Sequence, residues 1–394
     1  METKQEKLRN ILKHPNVIWL LASFVPLIYF SMKMQVLHDY PTYVAIWGKI
    51  YAGNDPWVIN GSFSGNAYGP IYNLFAGLPK IHPKLPHLVF VLSYFISVLF
   101  LVYHMMSSQT YTDKVQKIAL YIVMLNPIFL IFGLKYGNND LLLAAFLSLG
   151  LLFIYSRPVL SGVFIAMSIA FKIVPILFLP ILVFKNRRIN FRFIAGFLFT
   201  FMGIYSISFY IWGENVFFPF LFARPSDPSW FSIYRSLEYY SINLRPYMNP
   251  LLIATLCLFY ALAFFKNIKI WTAVYLCYTL IFVLSAKLNH QYWMAQIFCL
   301  AFFILENKDS ILRSKVTMFS MICYYSWVFF AAILFDYTYG YHHVSAHIDK
   351  YIKYYMGIPT FCVSVFLIAS CIKNIVFTDN QIKLNEHLSP AKRI

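Results

Sequence analysis

Charged residues are scarce in this chain of 394 residues: Asp, Glu, Lys and Arg together make up 12% of the sequence. Soluble globular proteins carry about a quarter charged residues, so an ordinary soluble enzyme is excluded. Acidic residues are the rarer kind, with 15 Asp and Glu against 32 Lys and Arg. The sequence contains no Walker loop, GxGxxG, DxD or zincin pattern, which argues against nucleotide-driven chemistry in the chain.

The six cysteines form no CxxC motif and no Cys/His cluster, and all of them lie within apolar runs. Neither a disulfide framework nor a zinc site is indicated, so we interpret them as packing residues. A cleaved signal is not indicated either, because the apolar run from Val17 to Val36 is long and lacks a small-residue cleavage site. We expect this run to be a retained first span.

Hydrophobic residues are abundant, at 60% of the chain with 20% aromatic residues and a mean hydropathy of +0.63. A membrane-spanning helix takes about 20 residues, so the sequence predicts an all-α polytopic membrane protein. We expect one transmembrane domain over residues 1–394, with about 12 transmembrane segments. They are expected near residues 17–36, 86–106, 116–133, 140–155, 159–171, 174–184, 193–212, 249–265, 270–286, 291–305, 316–335 and 356–372.

The formal net charge is +17. In a membrane protein, basic residues flanking the spans orient them and contact anionic lipid headgroups, so we predict membrane lipids as partners and no nucleic acid. A cytoplasmic N-terminus puts most basic residues on the cytoplasmic side and leaves two long outer loops, residues 37–85 and 213–248. Both loops mix aromatic residues with Pro and Gly, as interfacial helices joined by turns do.

The stretch from Arg157 to Phe184 is irregular, and the basic residues Lys-Asn-Arg-Arg follow it. A single crossing would place these cations outside, whereas two short segments meeting at Lys172 keep both ends cytoplasmic. Roughly thirteen residues of helix rise only about 20 Å, short of the hydrocarbon core of about 30 Å. We therefore predict a short broken hairpin lining a cavity, with Pro175 and Pro180 favouring the break.

His38 and Asp39 directly follow the first expected span, at the outer membrane surface. A carboxylate there is placed to deprotonate an acceptor hydroxyl arriving along the interface. The alternative is a helix N-cap, because Asp39 precedes Tyr40-Pro41 and Pro is favoured at the first helical position. The two roles are compatible.

The sequence Gly-Asn-Asn-Asp at 137–140 precedes the fourth expected span. This segment is either the N-cap of that span or a site in which Asp140 lies next to two Asn residues, Asn138 and Asn139, since ionisable groups inside a membrane are costly. Lys172 lies inside a long apolar stretch, so its ammonium either snorkels outward or meets an anion. A lipid phosphate is the natural anion.

The segment from Lys287 to Trp293 lies at the outer mouth between two spans. Lys287 and His290 would offer cationic and donor groups to a phosphate, whereas the alternative is a membrane-interface anchor made by Tyr292 and Trp293. Arg224 and Arg235 in the second outer loop are weaker candidates, equally consistent with interfacial anchoring.

The outer-loop Asp39 after the first span and the Tyr68-Gly69-Pro70 segment before an apolar run resemble the GT-C glycosyltransferases. The stretch from Gly137 to Phe184 is similar to the G-x-N-D, R-P, A/S-G and K-x-x-P core of glycosyltransferase family 87. Those enzymes are polyprenol-phosphate-mannose-dependent mannosyltransferases. One departure concerns the acceptor side, where many relatives have Tyr-Pro-Pro in place of Tyr-Gly-Pro.

The resemblance implies a GT-C-like fold and inverting transfer of mannose from a polyprenyl- or dolichyl-phosphate sugar to a glycolipid or glycan acceptor. Asp39 would match the catalytic base, Lys172 would fall in the lipid-phosphate region, and His290 would match a polar residue facing the donor. The other expected site residues are His38, Tyr68, Asn139, Asp140 and Arg224 for substrate and Lys287 for phosphate. Because the leaving phosphate needs no metal and no DxD is present, we predict no metal and no cofactor.

The expected location is a plasma membrane of bacterial or archaeal type, or the endoplasmic reticulum of a eukaryote, with the active site on the outer or lumenal face. A competing hypothesis is a transporter or flippase for a lipid-linked saccharide, since transporters also use broken helices. Against it, the sequence shows no inverted repeat. A third hypothesis, a ligase using a lipid-diphosphate donor, would be expected to have more outer Arg residues.

Overall fold

The computed structural model describes residues 15–33, 40–59, 62–63, 68–107, 113–124, 126–221, 229, 231–285, 290–340 and 354–373. Contacts divide the chain into two compact units. The first contains Met1–Arg224 and Gln291–Ala301, and the second contains Pro225–His290 and Phe302–Ile394. The prediction of one transmembrane domain over residues 1–394 remains a prediction.

In the first unit, the regular elements among the described residues are helices and two small hairpins. Its helices are α1 (Pro15–Lys33), α2 (Tyr40–Tyr51), α3 (Pro70–Asn73), α4 (Leu78–Ile81), α5 (Leu85–Ser107), α6 (Asp113–Met124), α7 (Asp140–Phe153), α8 (Pro158–Phe171), α9 (Leu179–Leu182), α10 (Phe191–Trp212) and α11 (Phe218–Leu221). Its antiparallel hairpins are β1 (Val58–Ile59) with β2 (Ser62–Phe63) and β3 (Phe184–Lys185) with β4 (Arg188–Ile189).

In the second unit, the regular elements among the described residues are all helices. Its helices are α12 (Ile233–Tyr239), α13 (Met248–Phe265), α14 (Ile270–Leu284), α16 (Lys315–Gly340) and α17 (Gly357–Cys371). Helix α15 (Trp293–Arg313) begins in the first unit, continues into the second and is kinked at Asn307.

Within the described residues, four helices are long and apolar enough to cross a membrane: α5, α10 with its continuation to Phe220, α13 and α16. The bent pair Lys117–Met124 and Phe129–Lys135 makes a fifth if it is one span. Helices α1, α7, α8, α14 and α17 are apolar but shorter. Each of them overlaps an expected span, yet a helix of 15 residues rises only about 22 Å. The count of 12 crossings therefore remains a prediction.

Helix α7 is buried within the first unit, whereas α10 has strongly exposed apolar side chains. Residues 140–145 and 147–152 of α7 are all buried, as expected for a helix that is hydrophobic on every side. On α10, by contrast, Phe199 is 84% exposed and Tyr210 is 91% exposed. Apolar surface of this extent marks contact with lipid rather than water.

The predicted break at Lys172 is present. Helix α8 ends at Phe171, and Lys172 has extended backbone angles, with φ −151° and ψ 128°. A 3-10 turn at Val174–Phe178 and the short helix α9 follow, beginning close to Pro175 and Pro180. In the outer loops, α2, α3, α4 and α12 are the short helices that the sequence predicts, although the side of the membrane on which they lie remains a prediction.

Candidate active site

A buried ion pair joins two positions that the sequence separates by 32 residues. Nζ of Lys172 lies 2.9 Å from Oδ1 and 3.1 Å from Oδ2 of Asp140. The two side chains are 6% and 0% exposed. An isolated charge at such a position costs several kcal/mol, and the contact with both carboxylate oxygens offsets part of that cost. The anion that meets Lys172 in the structure is therefore a carboxylate of the protein.

Local backbone geometry places both charges. Gly137, with φ +63°, turns the chain out of the π-helix Phe129–Lys135, and the N–H of Asn138 donates to the carbonyl of Phe132 at 2.9 Å. Helix α7 then begins at Asp140. Its N-cap residue, Asn139, makes no capping hydrogen bond through its side chain. Capping therefore does not explain why Asn139 and Asp140 are found at this position.

Two tyrosine rings flank the Lys172 ammonium. Nζ lies 5.3 Å from the ring centroid of Tyr68 and 4.1 Å from that of Tyr292. Both distances are within the range of a cation–π interaction. The structure thus brings together the predicted residues Tyr68, Asp140 and Lys172. It adds Tyr292, which the sequence analysis considered only as a membrane-interface anchor.

The Tyr68-Gly69-Pro70 segment is bound to the end of α8. The N–H of Gly69 donates to the carbonyl of Phe171 at 3.0 Å, and Trp57 Nε1 donates to the carbonyl of Tyr68 at 3.0 Å. A Cβ atom on residue 69 would lie 2.2 Å from the carbonyl oxygen of Ala170. Only glycine allows this approach, and a proline here would also lack the N–H.

Amide side chains extend the buried polar group. Asn138 Nδ2 donates to Gln291 Oε1 at 3.2 Å. Asn139 is 0% exposed, and neither atom of its amide has a hydrogen-bond partner within the described residues. Leaving such a group unsatisfied costs about 1–3 kcal/mol, so Asn139 retains unused capacity to bind a polar ligand. Asn138 belongs to the predicted Gly-Asn-Asn-Asp segment, whereas Gln291 was not predicted as a site residue, although it adjoins His290.

Asp39 lies outside the described residues, but the next residue, Tyr40, is buried and hydrogen-bonded. Tyr40 is the first residue of α2 and is 4% exposed. Its hydroxyl donates to the carbonyl of Pro83 at 2.7 Å and accepts from the N–H of His87 at 3.3 Å. Burial raises the pKa of Tyr40 to about 12, so the phenol stays protonated. Helix α2 begins at Tyr40, and both roles of Asp39, as a base and as an N-cap, remain predictions.

The remaining predicted residues are not part of the cluster as described. His38, Arg224 and Lys287 lie outside the described residues, and His290 is described only as the first residue of the 3-10 turn His290–Tyr292. Their roles remain predictions. Arg235 belongs to the second unit, where it lies 3.8 Å from Glu238 and 5.2 Å from the ring centroid of Tyr354. These contacts give it a structural role.

Two comparisons with known proteins found similarities. The sequence model of glycosyltransferase family 87 matches residues 66–305, a range that contains the whole cluster. Among solved structures, the crystal structure of ArnT from Cupriavidus metallidurans bound to undecaprenyl phosphate is similar to this chain. The TM-score is 0.50 and the identity 14%, with 91% of this chain and 77% of that chain covered. No curated protein sequence matches the chain.

Proposed function

Because this chain belongs to glycosyltransferase family 87, within the GT-C superfamily of multi-pass membrane enzymes, we propose that it transfers mannose from a polyprenyl- or dolichyl-phosphate sugar. The acceptor is a glycolipid or glycan on the outer or lumenal face of the membrane. The observation that carries the proposal is the buried Tyr68, Asp140, Lys172 and Tyr292 cluster within the matched region. The likeness to ArnT supports a polyprenyl-phosphate donor.

In the proposed reaction, the carboxylate of Asp39 takes the proton of the acceptor hydroxyl. The hydroxyl oxygen attacks the anomeric carbon of the sugar, and the bond from that carbon to the phosphate oxygen breaks. The electron pair leaves with the lipid phosphate, and the configuration at the anomeric carbon inverts. Electrostatic stabilisation of the developing phosphate charge is usually the largest contribution in such chemistry.

The ion pair changes how much each proposed cation contributes to stabilising the phosphate. Lys172 and Asp140 together are neutral, so Lys172 acts on the phosphate through its oriented N–H groups rather than as a bare charge. More of the stabilisation then falls to Lys287 and His290. Lys287 and His290 precede Gln291 and Tyr292 within one short segment of the sequence, and Gln291 contacts Asn138 while Tyr292 contacts Lys172.

The sugar itself is assigned to the amide groups. A hexose presents several hydroxyls, each a donor and an acceptor, and a side-chain amide offers both kinds of group on one plane. Asn139 lies buried with both amide atoms unsatisfied in the described part of the chain, directly before Asp140. We assign Asn139 to the donor sugar.

The transferase activity is tested with purified protein in lipid nanodiscs and polyprenyl-phosphate mannose labelled in the sugar. The expected result is release of polyprenyl phosphate that requires a glycolipid acceptor and yields a labelled product. The matched control donor is polyprenyl-phosphate glucose, which separates the class of reaction from the choice of sugar. A donor that stays intact while crossing a vesicle membrane would instead establish a transporter.

Transfer is expected to survive chelation. A divalent ion needs several oxygen ligands converging on it, and no group of three or more His, Cys, Asp or Glu side chains suited to a metal occurs among the described residues. The measurement is transfer of labelled mannose with and without excess EDTA. Complete loss of product, restored by adding Mg²⁺, Mn²⁺ or Ca²⁺, would contradict the expectation and make Asp39 a metal ligand rather than a lone base.

A further inference from the structure

The β3–β4 hairpin and the residues that follow it carry a dense group of cations. Lys185, Arg187, Arg188 and Arg192 lie within eight residues. No Asp or Glu occurs in the sequence between Asp140 and Glu214, so no acid of this stretch offsets them. Arg187, Arg188 and Arg192 are exposed.

The hairpin holds these cations in a defined geometry. Phe184 pairs with Ile189 and Lys185 pairs with Arg188 in antiparallel register. The two turn residues, Asn186 and Arg187, have φ values of 51° and 60°, as in the type I′ turn that matches the twist of two strands. The cations are therefore presented by a tight turn of regular form.

The hairpin is also fixed to the helix that follows it. The N–H of Asn190 donates to the carbonyl of Val183 at 2.8 Å, and Asn190 Oδ1 accepts from the N–H of Phe193 at 3.3 Å. These bonds close the hairpin at its base and cap α10. Arg192, in the first turn of α10, is therefore held next to the hairpin.

The hairpin bounds an open cleft of about 510 Å³. Its lining residues are Lys185, Asn186, Arg188, Ile189 and Asn190. Nδ2 of Asn190 is buried and has no hydrogen-bond partner in the described part of the chain. Two cations and an unused amide donor thus face a space large enough for a phosphate with its glycerol.

Exposed apolar side chains lie among the cations. Phe184 is 38% exposed, Ile189 is 47% exposed and Phe191 is 73% exposed. Phe191 begins α10, which is long and apolar enough to cross a membrane. Cations beside apolar side chains at the end of such a helix lie at the depth of the lipid headgroups. This depth favours a lipid over a soluble anion or a nucleic acid.

We propose that the β3–β4 hairpin and the first turn of α10 form a binding site for the headgroup of an anionic phospholipid. The cations and Asn190 engage the phosphate, and Phe184 and Phe191 contact the first methylenes of the acyl chains. The site is separate from the Asp140–Lys172 cluster, and its existence does not depend on the proposed transferase activity.

The test is titration of the purified full-length chain, in a neutral detergent, with dioctanoyl phosphatidylglycerol or dioctanoyl phosphatidylcholine, followed by native mass spectrometry. The protein is expected to prefer phosphatidylglycerol. The double variant Arg188→Gln/Arg192→Gln is expected to bind it roughly 30-fold more weakly, since each basic residue near an anionic lipid surface contributes about fivefold to affinity. Binding of phosphatidylcholine should not change.

The matched control is Lys49→Gln/Lys80→Gln, which removes the same charge from two other exposed positions of the first unit. This variant should keep the preference for phosphatidylglycerol. An equal loss in both variants, no preference in the unaltered protein, or complete displacement of the lipid by millimolar inorganic phosphate would each overturn the proposal. Circular dichroism and elution as a single species establish that every variant is folded.

Discussion

Replacement of Asp39 by asparagine is expected to abolish sugar transfer while the protein still inserts into the membrane and purifies normally. Loss of a general base alone costs about 10²–10⁴-fold in rate, and a base that also positions the acceptor costs more. Tyr40, the residue directly after Asp39, is buried and its hydroxyl makes two hydrogen bonds. A fixed neighbour of this kind suits a base that must meet a hydroxyl. The measurement is turnover of labelled polyprenyl-phosphate mannose.

Asp55 offers the matched control for this variant. It is a carboxylate of the same expected outer loop, but its Oδ1 accepts from the N–H groups of Trp57 and Val58 and its Oδ2 accepts from Asn215. These bonds identify a structural residue, so Asp55→Asn should lower stability slightly and leave turnover close to that of the unaltered enzyme. If the Asp39→Asn variant kept more than about a tenth of the turnover of the unaltered enzyme, Asp39 would not be the general base.

The second large effect concerns the buried ion pair. Lys172→Met leaves the carboxylate of Asp140 without its cation, which is expected to destabilise the protein by about 3–5 kcal/mol. The double variant Asp140→Asn/Lys172→Met removes both charges and should be far more stable than the single one. Thermal unfolding in detergent, followed by size-exclusion chromatography of the heated protein, gives the comparison. A double variant no more stable than Lys172→Met would contradict the pairing.

The same double variant separates a structural role of Lys172 from a role in catalysis. If the N–H groups of Lys172 stabilise the leaving phosphate, the double variant folds but loses about 10²–10³-fold in kcat, the scale of one lost electrostatic donor. Recovery of full activity would assign the pair to structure alone. Cysteine labelling at Ile173 from each side of the membrane tests its placement, because labelling exclusively from the cytoplasmic face would overturn the broken hairpin.

Local features of the fold were predictable because each depends on a short stretch of sequence. Continuous apolar runs located the long helices, and the two prolines after Lys172 located the break that follows α8. The ranges 159–171 and 249–265 agree with α8 and α13 to within a residue. The kink at Asn307 lies two residues beyond the expected end of a span at residue 305.

The partners of buried charges were not predictable in the same way. Asp140 and Lys172 were each singled out as costly to bury, but their pairing depends on the packing of α7 against α8, which no local pattern encodes. Tyr292 belonged to an aromatic segment typical of a membrane interface, and only the tertiary structure places its ring over Lys172. One signal was available in principle, since two opposite charges buried in one apolar region are most cheaply accommodated together.

The hydrogen bond from Gly69 to Phe171 also determines which segments of this enzyme can be replaced by those of a relative. Trp57 donates to the carbonyl of Tyr68, and Gly69 donates to the carbonyl of Phe171, so Trp57, the Tyr68-Gly69-Pro70 segment and the last turn of α8 form one structural module. A chimaera that takes its first outer loop from a relative with Tyr-Pro-Pro would therefore need that relative's version of α8 as well. Exchange of the loop alone would set a proline ring against the carbonyl of Ala170 and disturb the backbone next to Lys172.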